Sequence, residues 1–204
     1  MHLRIQIQNQ TAVQRIRRIQ IITIIWMCFE AALSLWAAWL ARSPALAAFG
    51  GDSAVELFSA VVVLWRFRTH ASEGSERIAA RVAGGLLFVL AAYVLVASTM
   101  SLTGYIEPQT SRLGVAVLLI AALLMPWLAS EKRRLSVLTG SAALRADAAE
   151  SALCAYLSVI ALIGLLVHAI WHITSADPVA ALLITPLIVY EGREAMRGKP
   201  CGCC

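Results

Sequence analysis

Charge is scarce in this chain of 204 residues. Asp, Glu, Lys and Arg make up 14% of it, against about 25% in an ordinary soluble domain. That excludes a soluble enzyme domain of the usual kind and a charge-rich disordered chain. Six prolines and 12 glycines are too few for a collagen-like or low-complexity chain. Cysteine is sparse and badly placed for a disulfide framework. Cys28 and Cys154 lie inside apolar runs, and Cys201, Cys203 and Cys204 crowd the last four positions. Nothing on the other polar segments could pair with them. A glycine-rich phosphate loop and a serine–histidine–aspartate signature are both missing.

What remains is apolar. Hydrophobic residues form 60% of the sequence and the mean hydropathy is +0.76. Runs of membrane-spanning length recur along the whole chain, which predicts an integral membrane protein in a lipid bilayer. Between Arg18 and Arg42 the only charge is Glu30, and between Arg42 and Arg66 only Asp52 and Glu56. Residues 82–106, 113–130 and 151–176 are uncharged. A last, shorter run extends from Asp177-Pro178 to Tyr190. These runs lack the period-2 alternation of a membrane barrel. The expectation is therefore all-α: a polytopic protein with six transmembrane helices. The first run is too long for the core of a signal peptide and carries Glu30. Residues 1–18 read as a basic arm, 19–192 as the membrane domain and 193–204 as a short Cys-rich tail. The longest loops are expected at 66–81 and 131–145.

The formal net charge of +5 does not point to nucleic acid, because the basic residues flank the apolar runs. With six spans, 15 of the 17 Lys and Arg residues fall on the side of the two termini, leaving Arg42 and Arg112 opposite. That bias predicts cytoplasmic termini, most simply at the plasma membrane.

Acids inside the spans are the informative residues, since an Asp at mid-bilayer costs roughly 2.5–3.5 kcal/mol. Asp52 and Glu56 are four apart, on one face of a helix. Two desolvated anions repel, so a proton or a cation must sit between them. A buried arginine could satisfy them instead, but no Lys or Arg falls at mid-depth in any span. Gly50-Gly51 lets another backbone approach. Glu150 and Cys154 repeat the spacing on the fifth span, and carboxylate and thiolate are both ligands for a metal such as zinc. Glu150 also reads as an acid reaching cytoplasmic water, and Cys154 as a small core residue. Glu30 reads either as a proton or ion relay or as an acid hydrogen-bonded to Ser34.

These residues resemble a known family. Gly51-Asp52-Ser53-Ala54-Val55-Glu56 is similar to the second-helix signature of the cation diffusion facilitators. Leu144-Arg145-Ala146-Asp147-Ala148-Ala149-Glu150 and Asp177-Pro178-Val179-Ala180-Ala181-Leu182-Leu183 resemble the starts of their fifth and sixth helices. The resemblance implies export of Zn²⁺ or a similar divalent ion against protons, by a homodimer and without a resident cofactor. It also implies a primary metal site of Asp52, Glu56, Glu150 and Cys154. The usual fifth-helix pair is a histidine or aspartate followed by an aspartate, so glutamate and cysteine depart from it. The family's cytoplasmic metal-binding domain has no counterpart here, as in its short branch. A non-transporting metal sensor or partner-binding subunit with the same fold is the alternative.

Three further places are candidate accessory sites. His70 lies in the 66–81 segment, where some relatives bind metal, and reads equally as a solvated loop residue. His168 and His172 could receive an ion on release, or belong to an interfacial aromatic belt with Trp171. Cys201, Cys203 and Cys204 are three thiols, one short of a closed zinc site. Ala83-Gly84-Gly85 suits a close helix–helix contact.

Overall fold

The computed structural model describes residues 2–69, 73–139 and 142–197, and among them there are six helices and no strand. They are α1 (His2–Ala41), α2 (Pro44–Thr69), α3 (Glu73–Leu102), α4 (Arg112–Thr139), α5 (Ala142–Trp171) and α6 (Ala176–Met196). Four contain a window apolar enough to cross a membrane by length and composition: α1, α3, α4 and α5. His70 lies outside the described residues, as do Cys201, Cys203 and Cys204.

Helix ends follow local chemistry. α1 ends with Arg42 in the left-handed region, φ 51°, and the Ser43 N–H reaches back to the Ala38 carbonyl. This closes off the last carbonyls of the helix. Ser43 then caps α2, its Oγ accepting the Leu46 N–H at 3.1 Å, with Pro44 at the first helical position, where a missing N–H costs nothing. α3 ends at Leu102 and the chain turns at Gly104, φ 82°, and Ser111 caps α4 through the Gly114 N–H.

The polar segments expected as long loops are largely helical. α2 continues to Thr69 and α3 starts at Glu73, while α4 runs to Thr139 and α5 starts at Ala142. Residues such as Glu, Lys, Arg, Leu and Ala there are good helix formers, so the helix outlasts the apolar run.

Packing closes the six helices into a ring in the order α1, α2, α3, α6, α5, α4, with α2 also touching α5 and α6 across it. The centre is filled by Leu46, Phe49, Leu118, Met125, Leu157 and Ile184. The outside is apolar too: Trp39, Leu123, Val89 and Leu183 are all well exposed. Greasy side chains on both surfaces of a helix ring fit a lipid surround rather than water.

Close approach is set by glycine at two crossings. A methyl at Gly50 would lie 2.8 Å from Ser34 Cβ and 3.0 Å from the Leu35 amide nitrogen, so α1 and α2 meet backbone to backbone. A methyl at Gly84 would lie 2.8 Å from the Gly192 carbonyl oxygen. The small residues of α3 therefore make their close contact within the chain, against α6. Gly85 next to them faces open space.

Candidate metal centre

α2 and α6 start at the same end of the bundle. Asp177, in the first turn of α6, is buried and accepts the Ala45 N–H at 2.9 Å, so it caps α2 from the neighbouring helix. From that anchor both helices run in one direction. Asp52 and Glu56 follow along α2, one turn apart on one face. The buried stripe of α6 runs through Asp177, Ala181, Ile184 and Ile188, and the same phase carries Glu191 inward.

Asp52, Glu56 and Glu191 meet there. One carboxylate oxygen from each lies within 4.8 Å of the others, and Asp52 is buried. Oxygens bound tetrahedrally to one ion at about 2.1 Å are about 3.4 Å apart, so the group closes on a cation with side-chain shifts of about an ångström. Among the described residues no donor N–H or O–H reaches either oxygen of Asp52 or Glu191 Oε1; the two carboxylates face each other within hydrogen-bonding reach. Buried polar atoms are normally paired, and leaving one unpaired costs about 1–3 kcal/mol. Among the described residues no cation pairs with Asp52, and a divalent ion or protons would supply the charge that the three acids call for.

The other acids of the spans are placed differently. Glu30 is fully buried. Its Oε1 accepts from Ser53 Oγ at 2.7 Å and from Cys154 Sγ at 3.2 Å, and its Oε2 accepts from Trp26 Nε1. Ser34, expected as its partner, instead packs against Gly50 and its Oγ is unpartnered; the donors come from one turn back on α1 and from two other helices. Cys154 is thus engaged with Glu30, outside the three-acid group. Glu150 is exposed on α5, near enough to Asp52 and Glu56 for its charge to act on both.

A buried cation lies in the bundle just past the end of an apolar run. Lys132, assigned above to a loop, sits in α4 and is fully buried. Its Nζ donates to Asp147 Oδ1 at 2.8 Å and to Ser151 Oγ at 2.9 Å. The other Asp147 oxygen accepts from Gln20 Nε2 at 2.6 Å. This network ties α1, α4 and α5 and does not involve the α2 pair.

At the opposite end, His168 is buried with Nδ1 3.2 Å from the Ile173 carbonyl oxygen. His172 lies beyond the end of α5, exposed and in the left-handed region with φ 54°. The helical spacing that would pair them does not continue that far.

Sequence reasoning missed Glu191. It follows Tyr190, where the last apolar run stops, and precedes Arg193 and Glu194, so it reads as a polar flank. Its phase on the buried stripe of α6 was the available signal.

Residues 21–198 match the family described as the cation efflux transmembrane domain. No curated protein matches the chain at the level set for significance.

Proposed function

The chain belongs to the cation efflux family, whose members are metal-cation transporters rather than enzymes, and we propose that it exports a divalent cation, Zn²⁺ first among candidates, in exchange for protons. Asp52 and Glu56 hold the ion. The observation that carries this reading is the pair of oxygens on buried Asp52 that no donor among the described residues reaches, beside two further carboxylates.

The chemistry of exchange follows from charge. Clustered carboxylates in a low-dielectric bundle cannot all remain anionic without a counter-charge, and a divalent ion and protons compete to provide it. Facing the cytoplasm, the site releases protons and takes the ion; facing outward, it releases the ion and takes protons. Inward proton flow then drives efflux. The distribution of Lys and Arg supports cytoplasmic termini, with the plasma membrane as the simplest location. A homodimer is part of the proposal, and cross-linking in native membranes checks it.

The deciding experiment is metal uptake into reconstituted vesicles under a pH gradient, with Zn²⁺, Mn²⁺, Fe²⁺, Co²⁺ and Cd²⁺ offered separately. Gradient-dependent uptake that Asp52→Ala loses is expected. Metal binding without accumulation would replace the transporter with a sensor.

A further inference from the structure

We infer that Glu191 of α6 is the third metal ligand, so that the ion is held by an oxygen-only set of Asp52, Glu56 and Glu191 and not by the Cys154 sulfur. This rests on the proposed metal site in α2 and names what completes it.

Three observations carry the inference. The first is proximity: ligand oxygens of these three residues lie within 4.8 Å of one another. The second is the lack of an outside donor among the described residues: Asp52 and Glu191 face each other, and no other side chain or amide supplies a hydrogen to either Asp52 oxygen or to Glu191 Oε1. All three oxygens are buried, and Asp52 is only 1% exposed. The third is the build of α6. Asp177 fixes its start to α2 through the Ala45 N–H. Gly192 then meets Gly84 of α3 with no room for a side chain between them. One residue before that contact, Glu191 is brought toward α2 by the crossing.

Cys154 is held elsewhere. Its thiol donates to Glu30 Oε1, which also accepts from Ser53. To bind a metal it must lose its proton, leave that acceptor and become a thiolate. An oxygen-only set removes the preference for thiophilic ions that a sulfur ligand confers.

The test uses full-length protein in lipid nanodiscs and the metal ion alone. Zn²⁺ binding is measured by titration calorimetry, and the component that Asp52→Asn removes is taken as the membrane site. That component should weaken by about tenfold or more in Glu191→Gln, by less in Glu191→Asp, and by under about twofold in Cys154→Ala. Co²⁺ loading should give no thiolate-to-cobalt charge-transfer band that Cys154→Ala abolishes. If Glu191→Gln does not yield monodisperse protein, Glu191→Asp, which keeps the charge and shortens the reach, carries the comparison. Unchanged affinity in the Glu191 variants overturns the inference, as does a cobalt band dependent on Cys154. In either case the α2 site would stand. If Asp52→Asn removes no component, the site in α2 fails, and the inference with it.

Discussion

Glu30 and Asp52 lie on neighbouring helices, both buried in the same bundle, and their carboxylates meet opposite surroundings. Glu30 collects three donors, from Trp26, Ser53 and Cys154. Asp52 collects none on either oxygen. A third acid, Asp147, shows another solution, a buried ammonium on one oxygen and an amide on the other. Burying an acid is costly unless it is hydrogen-bonded or paired. Glu30 and Asp147 meet that cost within the fold; Asp52 leaves it open to a ligand. The contrast separates acids that build the bundle from acids that wait for something to enter it.

The largest expected effect comes from abolishing the unsatisfied member. Asp52→Asn should lower metal uptake by at least about a hundredfold, since it removes a ligand charge from the ion. The melting temperature in detergent should hold or rise, because one of three crowded carboxylates is neutralised. A large fall in melting temperature with uptake retained would erase the distinction from Glu30.

Glu30→Ala is the reciprocal change. It strands a serine, a thiol and an indole N–H at once, and should cost about 4 kcal/mol of stability. Ser53 keeps one acceptor, the Phe49 carbonyl at 3.1 Å, which limits the loss. Chemical unfolding in mixed micelles reads it. An unchanged midpoint would mean that the three donors find other partners.

Asp147→Ala should cost somewhat less, about 3 kcal/mol, the low end for a broken buried pair because Asp147 is partly exposed. It leaves the fully buried Lys132 amine with Ser151 as its remaining hydrogen-bond partner. Lys132→Met should be milder still, because Asp147 is 28% exposed and keeps Gln20. Equal costs for the two variants would show that neither partner is easier to strand than the other.

How far these roles were legible in the sequence depends on where each residue sits relative to an apolar run. Asp52 and Glu56 interrupt a run at helical spacing, so their shared face was readable from the period alone. Glu30 was visible as a buried acid, but its donors were not. Two of them, Ser53 and Cys154, are distant in sequence and come together only through the packing of α1, α2 and α5. Lys132 and Glu191 were hidden for one reason: each stands where a run ends and charges begin. Composition reads such a residue as solvated. The helices continue past those boundaries, to Thr139 and Met196, and their buried faces continue with them. Phase along the helix, followed beyond the apolar run, is the better guide there.

The smallest change sharpens the contrast most closely, because Ser53 is the immediate neighbour of Asp52 while serving Glu30. Ser53→Ala removes one of three donors from Glu30 and adds nothing to Asp52, whose oxygens it does not touch. The Phe49 carbonyl is the alternative, more distant acceptor for the single hydroxyl proton, and it lies within α2 with its helical partner available. The expected cost is about 1 kcal/mol, read as a small shift in the unfolding midpoint. Metal affinity should stay unchanged, because Trp26 and Cys154 still hold the Glu30 carboxylate in place. A loss of affinity without a loss of stability would couple the two acids directly. Glu30 would then belong to the ion's path, and its three donors would be the means of holding it ready there.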